Sequence, residues 1–347
     1  MMKTYKAMQI KEPGVLELVN KPVPTPDQTQ VLLQVEACGM CGADIADIEK
    51  HTNVHRTPGH EVVGRIIAIG DAKQSQWELG QRVGVGRLAG HCNQCTSCRQ
   101  GKFQHCLNQE VVGATIDGGY AEMMLAPLSG LVEIPDELES HEAAPILCAG
   151  LATFNALKKC GAEPGDTVVV LGVGGLGHMA IQYARNMGYR VVAIGRGEDI
   201  RKTVTKLGAH HYIDTNQEDI KLALSKFNNV SAAVATINHR DSVRQLSECM
   251  APNSRLMILG VGKENVEVGS GVLVSKELNL QGSITGTPFE NEKALQFSAL
   301  TDSKPWIETV ALEQANQAYQ KMKAGDACFR MVINLSDRNI SEINEIG

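Results

Sequence analysis

The sequence predicts an α/β protein of two domains, a β-rich domain followed by a doubly wound parallel sheet, and three observations carry that reading. At 347 residues the chain exceeds what one typical core holds, so two domains are the expectation. Residues 1–148 read as short apolar strands broken by Gly and Pro, the pattern of a small barrel-like unit. From residue 149 strand and helix signals alternate, as in βαβ units whose strands form a parallel sheet.

The elements follow in order. Val31 to Ala37 is rich in branched residues and reads as a strand, as does the apolar run Val62 to Ile69 between Gly59 and Gly70. Pro22-Val23-Pro24-Thr25-Pro26 is extended and unsuited to a central strand. Thr153 to Cys160 reads as helix. Thr167 to Leu171 is a continuous apolar strand of the kind buried on both faces. A glycine-rich turn, a helix from His178 to Met187 and a strand from Arg190 to Ile194 come next. Further strands are expected at Ala232–Thr236, Leu256–Leu259 and Leu278–Gln281. Beyond about residue 286 the pattern gives helices at Glu292–Leu300 and Leu312–Lys323 and a last strand at Phe329–Leu335. The expected division is 1–148, 149–286 and a return segment, 287–347, that completes the first domain.

Composition narrows the function. A net charge of −6 with no basic patch argues against a nucleic-acid partner, and 4% aromatic residues argue against a large aromatic recognition surface. No apolar run approaches the roughly eighteen residues a membrane span needs. Residues 1–6 are polar, unlike a signal peptide, and ten cysteines suit a reducing compartment, so the cytoplasm is the expected location.

The strongest local signal is the loop 92–106, where Cys92, Cys95, Cys98 and Cys106 are spaced Cys-x2-Cys-x2-Cys-x7-Cys. Four thiolates suit a tetrahedral zinc, and Gly101 helps the chain turn back to supply the fourth. Such a site has no open position, so it predicts a structural zinc and not a catalyst.

The second signal is Gly172-Val173-Gly174-Gly175-Leu176-Gly177, between a strand and a helix. In that context Gly172 permits the turn and Gly174 lets the backbone approach a pyrophosphate resting on the helix N-terminus. Gly177 permits close helix–strand packing, and Gly175 completes the candidate cofactor-binding turn. The next strand normally ends in an acid that binds the adenosine ribose; here Gly195 and Arg196 stand there. A small residue with room for a 2′-phosphate and an arginine to pair with it favours NADP(H), with NAD(H) as the alternative.

Hydride chemistry also needs a group that polarises a carbonyl or acidifies an alcohol, and a zinc with three protein ligands and a free position does both. Cys41, His60 and Cys148 are candidates, although spacing alone does not join them. The chain resembles a zinc-dependent alcohol dehydrogenase of the medium-chain dehydrogenase/reductase superfamily. The resemblance rests on Cys38-Gly39-Met40-Cys41-Gly42-Ala43-Asp44, Gly59-His60-Glu61-Val62-Val63-Gly64, the four-cysteine loop, Gly119-Tyr120-Ala121-Glu122, Ala144 to Gly150, and Gly172 to Gly177.

The resemblance runs in order from about residue 5 to 335 and implies a GroES-like catalytic domain joined to a Rossmann cofactor domain. It further implies that Cys41, His60 and Cys148 carry a catalytic zinc, for two zinc ions per chain. Glu61 matches the nearby carboxylate, Asp44 the acid that orients the histidine, and Thr153 a contact to the nicotinamide. Cys38, Cys160, Cys249 and Cys328 read as structural thiols. Ala43 departs from the pattern: relatives usually place Ser or Thr there, whose hydroxyl starts a proton relay.

The implied function is an alcohol dehydrogenase/aldehyde reductase acting on a small alcohol or aldehyde in an interdomain cleft, as a homo-oligomer, dimer or tetramer. A polyol, sugar or cinnamyl-alcohol dehydrogenase of the same superfamily is the alternative enzyme. A zinc-thiolate redox sensor is the alternative outside enzymes.

Overall fold

The computed structural model describes residues 3–53, 55–71, 75–227 and 229–336. The chain forms two compact units. The first comprises Met1–Cys148, Thr287–Ala299 and Pro305–Gly347, the second Ala149–Gly286 and Leu300–Lys304. The expected return segment 287–347 is thus interrupted. Residues 300–304 stay with the second unit because Gln182 Nε2 donates to the Lys304 carbonyl (3.1 Å) and Asn186 Nδ2 to Ser303 Oγ (2.8 Å).

The first unit opens with β1 (Thr4–Glu12) and β2 (Val15–Pro22), an antiparallel hairpin turned at Gly14, whose φ of +82° suits glycine. Then come β3 (Gln30–Met40), β4 (Glu61–Ile69), β5 (Arg82–Val85), β6 (Met123–Pro127) and β7 (Leu131–Glu133). β3 is eleven residues long, runs three residues past the expected end, and pairs with both β4 and β6. Irregularities at Leu32/Leu33 and Val35/Ala37 break its register with β4, and such bulges bend a strand. Val31, Leu33, Val35, Val62, Ile66, Val83 and Val85 pack as the core of this sheet. The pairing path runs β14-β15-β3-β4-β5-β7 with β6 added on β3, an open path of bulged strands that fits the expected barrel-like unit.

The second unit contributes β8 (Thr167–Leu171), β9 (Arg190–Gly195), β10 (His211–Asp214), β11 (Val230–Ala235), β12 (Arg255–Ile258) and β13 (Asn279–Gly282). They form one all-parallel sheet in the order β10-β9-β8-β11-β12-β13. Numbered from β8, that is 3-2-1-4-5-6, the doubly wound order in which ligands bind where the winding reverses, here between β8 and β11. All five residues of β8 are buried, which explains its unbroken apolar run. β13, by contrast, is an edge strand with all four residues exposed. The chain then returns through β14 (Ile307–Val310) and β15 (Arg330–Asn334), and β15 pairs antiparallel with the end of β3. Among the described residues no helix is long and apolar enough to cross a membrane.

Candidate functional site

Three short backbone features bring the site together. β3 stops at Met40, and Cys41 caps the helix Gly42–Ile48, its backbone N–H donating to Asp44 Oδ2 at 2.9 Å. β4 begins at Glu61, and the β3–β4 register sets Gly39 opposite Glu61, so His60 lies beside the end of β3. Gly39 leaves the space Glu61 fills: a Cβ there would lie 2.0 Å from Glu61 Oε2. Cys148 sits in a wide π-helical turn, Ile146–Gly150, of the kind found at functional sites. The turn frees the Leu147 carbonyl, which accepts from Asn291 Nδ2 at 3.3 Å.

Cys41 Sγ and Cys148 Sγ are 3.9 Å apart, and one donor atom from each of Cys41, His60, Glu61 and Cys148 falls within 4.8 Å of the others. Two sulfurs on a tetrahedral zinc, with bonds of about 2.3 Å, would be about 3.8 Å apart. His60 is fully buried; its Nδ1 pairs with Asp44 Oδ1 at 2.7 Å, while its Nε2 has no partner. An orphaned buried nitrogen beside two sulfurs fits a metal ligand, because such an atom otherwise costs about 1–3 kcal/mol. The hydrogen bond to Asp44 sets the tautomer that leaves Nε2 free.

Charge is concentrated around this cluster. Glu61 is fully buried, and both its carboxylate oxygens are held by Nη2 of Arg330, itself only 4% exposed. Arg87 Nη1 pairs with the buried Asp47 at 2.7 Å and comes within 3.5 Å of His60 Nδ1. The Cys41 thiol is held well below the usual thiol range by its sulfur partner Cys148, with His60 adding to the effect. Cys148 is pushed up by Cys41 and by burial. Burial opposes charge on His60, yet Asp44 outweighs it and holds the imidazole up at about 10. Burial pushes the Glu61 carboxyl up and the Arg330 guanidinium beside it pulls it back down, while Arg330 is itself raised by Glu61 despite its burial. Protonating Glu61 would strand a buried guanidinium, so the ionised pair is the resting form at neutral pH.

The four cysteines of the loop also converge, with Cys92, Cys95, Cys98 and Cys106 sulfurs all within 4.8 Å of one another. The Cys106–Cys92 and Cys95–Cys106 separations are 3.6 and 4.0 Å. Gly101 has φ of +73°, which lets the chain turn back. Donors from the loop point at sulfur: Leu107 N–H at Cys95 (3.5 Å) and Asn108 Nδ2 at Cys92 (3.4 Å). The backbone N–H of Gln94, then Asn108, hold the Cys92 thiol down at about 6. Of the remaining thiols, Cys38 and Cys160 are buried and Cys249 partly so; Cys328 is exposed, which does not fit a packing role.

In the second unit the glycine turn lies where β8 meets β11. Gly172 has φ of +97°, and a Cβ there would lie 2.6 Å from Thr236 Oγ1. Thr236 Oγ1 donates to the Leu171 and Gly172 carbonyls (3.0 and 3.1 Å), tying the two strands at the reversal. Gly174 is exposed with open space over its Cα, Gly175 is half-buried, and a Cβ on Gly177 would collide with the Gly172 carbonyl at 2.0 Å. Gly195 is small for a local reason: a Cβ there would meet the Tyr212 ring at 3.0 Å.

Arg196 is exposed, forms no ion pair among the described residues, and lines a cavity of about 410 Å³ with Thr215, Asn216, Asp241 and Ser242. The backbone beside it is fixed by Asp214, whose Oδ1 accepts from Gly197 N–H at 2.8 Å. Thr153 is fully buried, and its hydroxyl is spent on the Ala149 and Gly150 carbonyls (2.8 and 3.0 Å).

Arg330 and the Arg87–Asp47 pair border the candidate site and stand in none of the sequence motifs, whereas Tyr120 lies in the Gly119-Tyr120-Ala121-Glu122 stretch. Arg330 had a signal: it is a charge at the head of the apolar run Met331-Val332-Ile333.

Known proteins are similar to this chain along nearly its whole length. The family profile described as alcohol dehydrogenase GroES-like domain matches residues 27–136, and that described as zinc-binding dehydrogenase matches residues 175–299. The chain is 36% identical to an alcohol dehydrogenase of Aspergillus sp. (strain MF297-2), covering 96% of this chain and 98% of the relative. It is 34% identical to an alcohol dehydrogenase of Geobacillus stearothermophilus, over 96% of this chain and 97% of the other. A cinnamyl alcohol dehydrogenase from Sorghum bicolor superposes with a TM-score of 0.88 at 24% identity, covering 97% and 99% of the two chains, which speaks for the fold alone. On these grounds the chain belongs to the zinc-type alcohol dehydrogenases of the medium-chain dehydrogenase/reductase superfamily, an oxidoreductase family.

Proposed function

We propose that this chain is a zinc-dependent alcohol dehydrogenase/aldehyde reductase. The observation that carries the reading is the set Cys41, His60 and Cys148, with two sulfurs 3.9 Å apart facing a buried imidazole nitrogen that has no other partner. A zinc ion held there would supply the Lewis acid that polarises a carbonyl or lowers the pKa of an alcohol, and a nicotinamide cofactor would carry the hydride.

The chain's own part is to hold and insulate. Cys41 and Cys148 would supply sulfur ligands and His60, on giving up its Nε2 proton as the metal arrives, a neutral nitrogen whose Nδ1 proton stays with Asp44. Glu61 lies within reach of the same point, but Arg330 holds both its oxygens and so keeps it from displacing a ligand at rest. Ala43, next to Asp44 on the capped helix, offers no hydroxyl, so the substrate proton leaves by a route that does not start at this position.

The four-cysteine loop is the second, structural zinc site, since all four of its corners are protein sulfurs. Arg196, which lines the cavity and forms no ion pair among the described residues, favours NADP(H) over NAD(H). The exposed edge β13, with the apolar Leu280 and Ile284 also exposed, supports a homo-oligomer paired through that strand. Ten cysteines without a disulfide support a reducing compartment such as the cytoplasm.

The test is metal content together with turnover of an alcohol and aldehyde panel, including polyols and cinnamyl substrates, with NADPH and NADH. Two zinc ions per chain and hydride transfer lost in His60→Ala are expected. Two zinc ions with no turnover on any substrate would leave the redox-sensor reading instead.

A further inference from the structure

The pair Gly119-Tyr120 faces Gly59-His60 across the first unit. Three backbone bonds join the segments: Gly118 N–H to the Thr57 carbonyl (2.7 Å), Gly119 N–H to Gly59 (2.9 Å) and Tyr120 N–H to Pro58 (3.0 Å). The approach is so close that a Cβ on Gly118 would lie 2.1 Å from the Gly59 carbonyl oxygen. The Tyr120 ring packs against Gly59, where a Cβ would be 2.2 Å from ring carbon Cδ1. Gly59 therefore leaves the room the aromatic ring fills, and Gly118 allows the backbones to approach.

That ring is fully buried, and its hydroxyl donates to Asp44 Oδ2 at 2.8 Å. Asp44 thus has a division of labour between its oxygens. Oδ2 takes the Tyr120 hydroxyl and the Cys41 N–H, and Oδ1 takes His60 Nδ1. Removing the hydroxyl leaves the carboxylate pinned on that side by a single backbone N–H, free to rotate away from the imidazole.

We propose that Tyr120 is a positioning residue for the Cys41–His60–Cys148 metal site, acting through Asp44 to fix the His60 ring and its metal-facing Nε2. This rests on the reading of that cluster as a metal site. A tyrosine placed only to fill space would need its ring and any convenient acceptor. Here the acceptor is the one carboxylate that holds the candidate metal ligand.

The experiment uses cobalt(II) as the probe in the full-length protein, because thiolate and imidazole sites give distinct absorption spectra. Tyr120→Phe keeps the ring and removes only the hydroxyl. Loss of an outer partner of this kind typically weakens metal affinity by about 10–100-fold. The expected result is cobalt affinity at the Cys41–His60–Cys148 site about ten-fold weaker by chelator competition, with a shifted spectrum, and affinity at the four-cysteine site unchanged. In an Asp44→Asn background the same substitution should cost less than about two-fold, since its route is already cut.

Unchanged affinity and spectrum in Tyr120→Phe would overturn the proposal. So would equal weakening at both sites together with a lowered melting temperature, which is the mark of a packing role, or a full effect retained in Asp44→Asn. If Tyr120→Phe does not fold, the wild type decides: with diamagnetic cadmium as the probe, the buried Tyr120 hydroxyl proton must shift in NMR spectra when the two-cysteine site fills and not when the four-cysteine site fills, and an unmoved proton overturns the proposal. A wild type showing only four-thiolate cobalt bands would instead sink the metal-site reading itself.

Discussion

Replacing Arg330 with methionine should destabilise the protein by an amount that grows with pH. Arg330 is 4% exposed and Glu61 fully buried, and the guanidinium is the group holding both carboxylate oxygens. Without it Glu61 is buried beside the Cys41 thiol with only the His60 imidazole for a positive neighbour and, among the described residues, no donor on its oxygens, and it takes up a proton. Neutralising a carboxyl whose ordinary value is 4.5 costs about 1.4 kcal/mol per pH unit above that value, hence about 3.5 kcal/mol at pH 7 and under about 1 kcal/mol at pH 5.

The sign follows from linkage. A folded-state pKa raised above the unfolded one means that the unfolded chain binds fewer protons between the two values, so stability falls as pH rises through that window. The size agrees with the roughly 3–5 kcal/mol measured when one partner of a buried pair is removed. Arg330→Met/Glu61→Gln leaves no charge to strand and should recover most of the loss. Urea unfolding of the metal-free single and double variants from pH 5 to 8 checks this. A difference of Arg330→Met from wild type that does not change with pH, or a double variant as unstable as the single, would refute the account of the pair.

Three further outcomes are expected. Ala43→Ser restores a hydroxyl beside Asp44 and should raise alcohol oxidation several-fold with little change in KM; an unchanged kcat means the proton route does not pass this position. Arg196→Ala should raise KM for NADPH by about ten-fold, a charge-assisted contact of about 1.4 kcal/mol, and leave NADH unaffected; an equal response of both cofactors removes Arg196 from phosphate recognition. Cys95→Ser should lower zinc content from two to one per chain and reduce the melting temperature while the surviving folded protein still turns over. Loss of hydride transfer in fully folded protein would mean the roles of the two metal sites are reversed.

What could be read from the sequence depended on how far apart the cooperating residues lie. Cys92 to Cys106 announce themselves because one short loop carries every donor and their spacing is itself the geometry. The run Thr167 to Gly177 was equally legible, since strand, turn and helix are consecutive and Gly172 and Gly177 each answer a local contact. Cys41, His60 and Cys148 became visible only through resemblance, because the sheet register and a π-helical turn, neither written in local spacing, bring them together. Arg330 stands 269 residues from Glu61, and no periodicity links a charge on β15 to one on β4. Gly195 carries two reasons at one position: its place in the sequence suggested space for a phosphate, and in the fold a Cβ there would also crowd the Tyr212 ring at 3.0 Å.

The pairing of Gly39 with Glu61 has a consequence for how the molecule matures. A slip of one residue between β3 and β4 turns every side chain of one strand to the opposite face. It would drive Val62 into the gap that Gly39 leaves, turn Glu61 away from Arg330 and carry His60 out of reach of Cys41. Metal capture stabilises only the arrangement in which the donors meet. A zinc ion captured by Cys41, His60 and Cys148 would therefore proofread strand alignment, and chains left metal-free after folding should then be enriched in misregistered sheets.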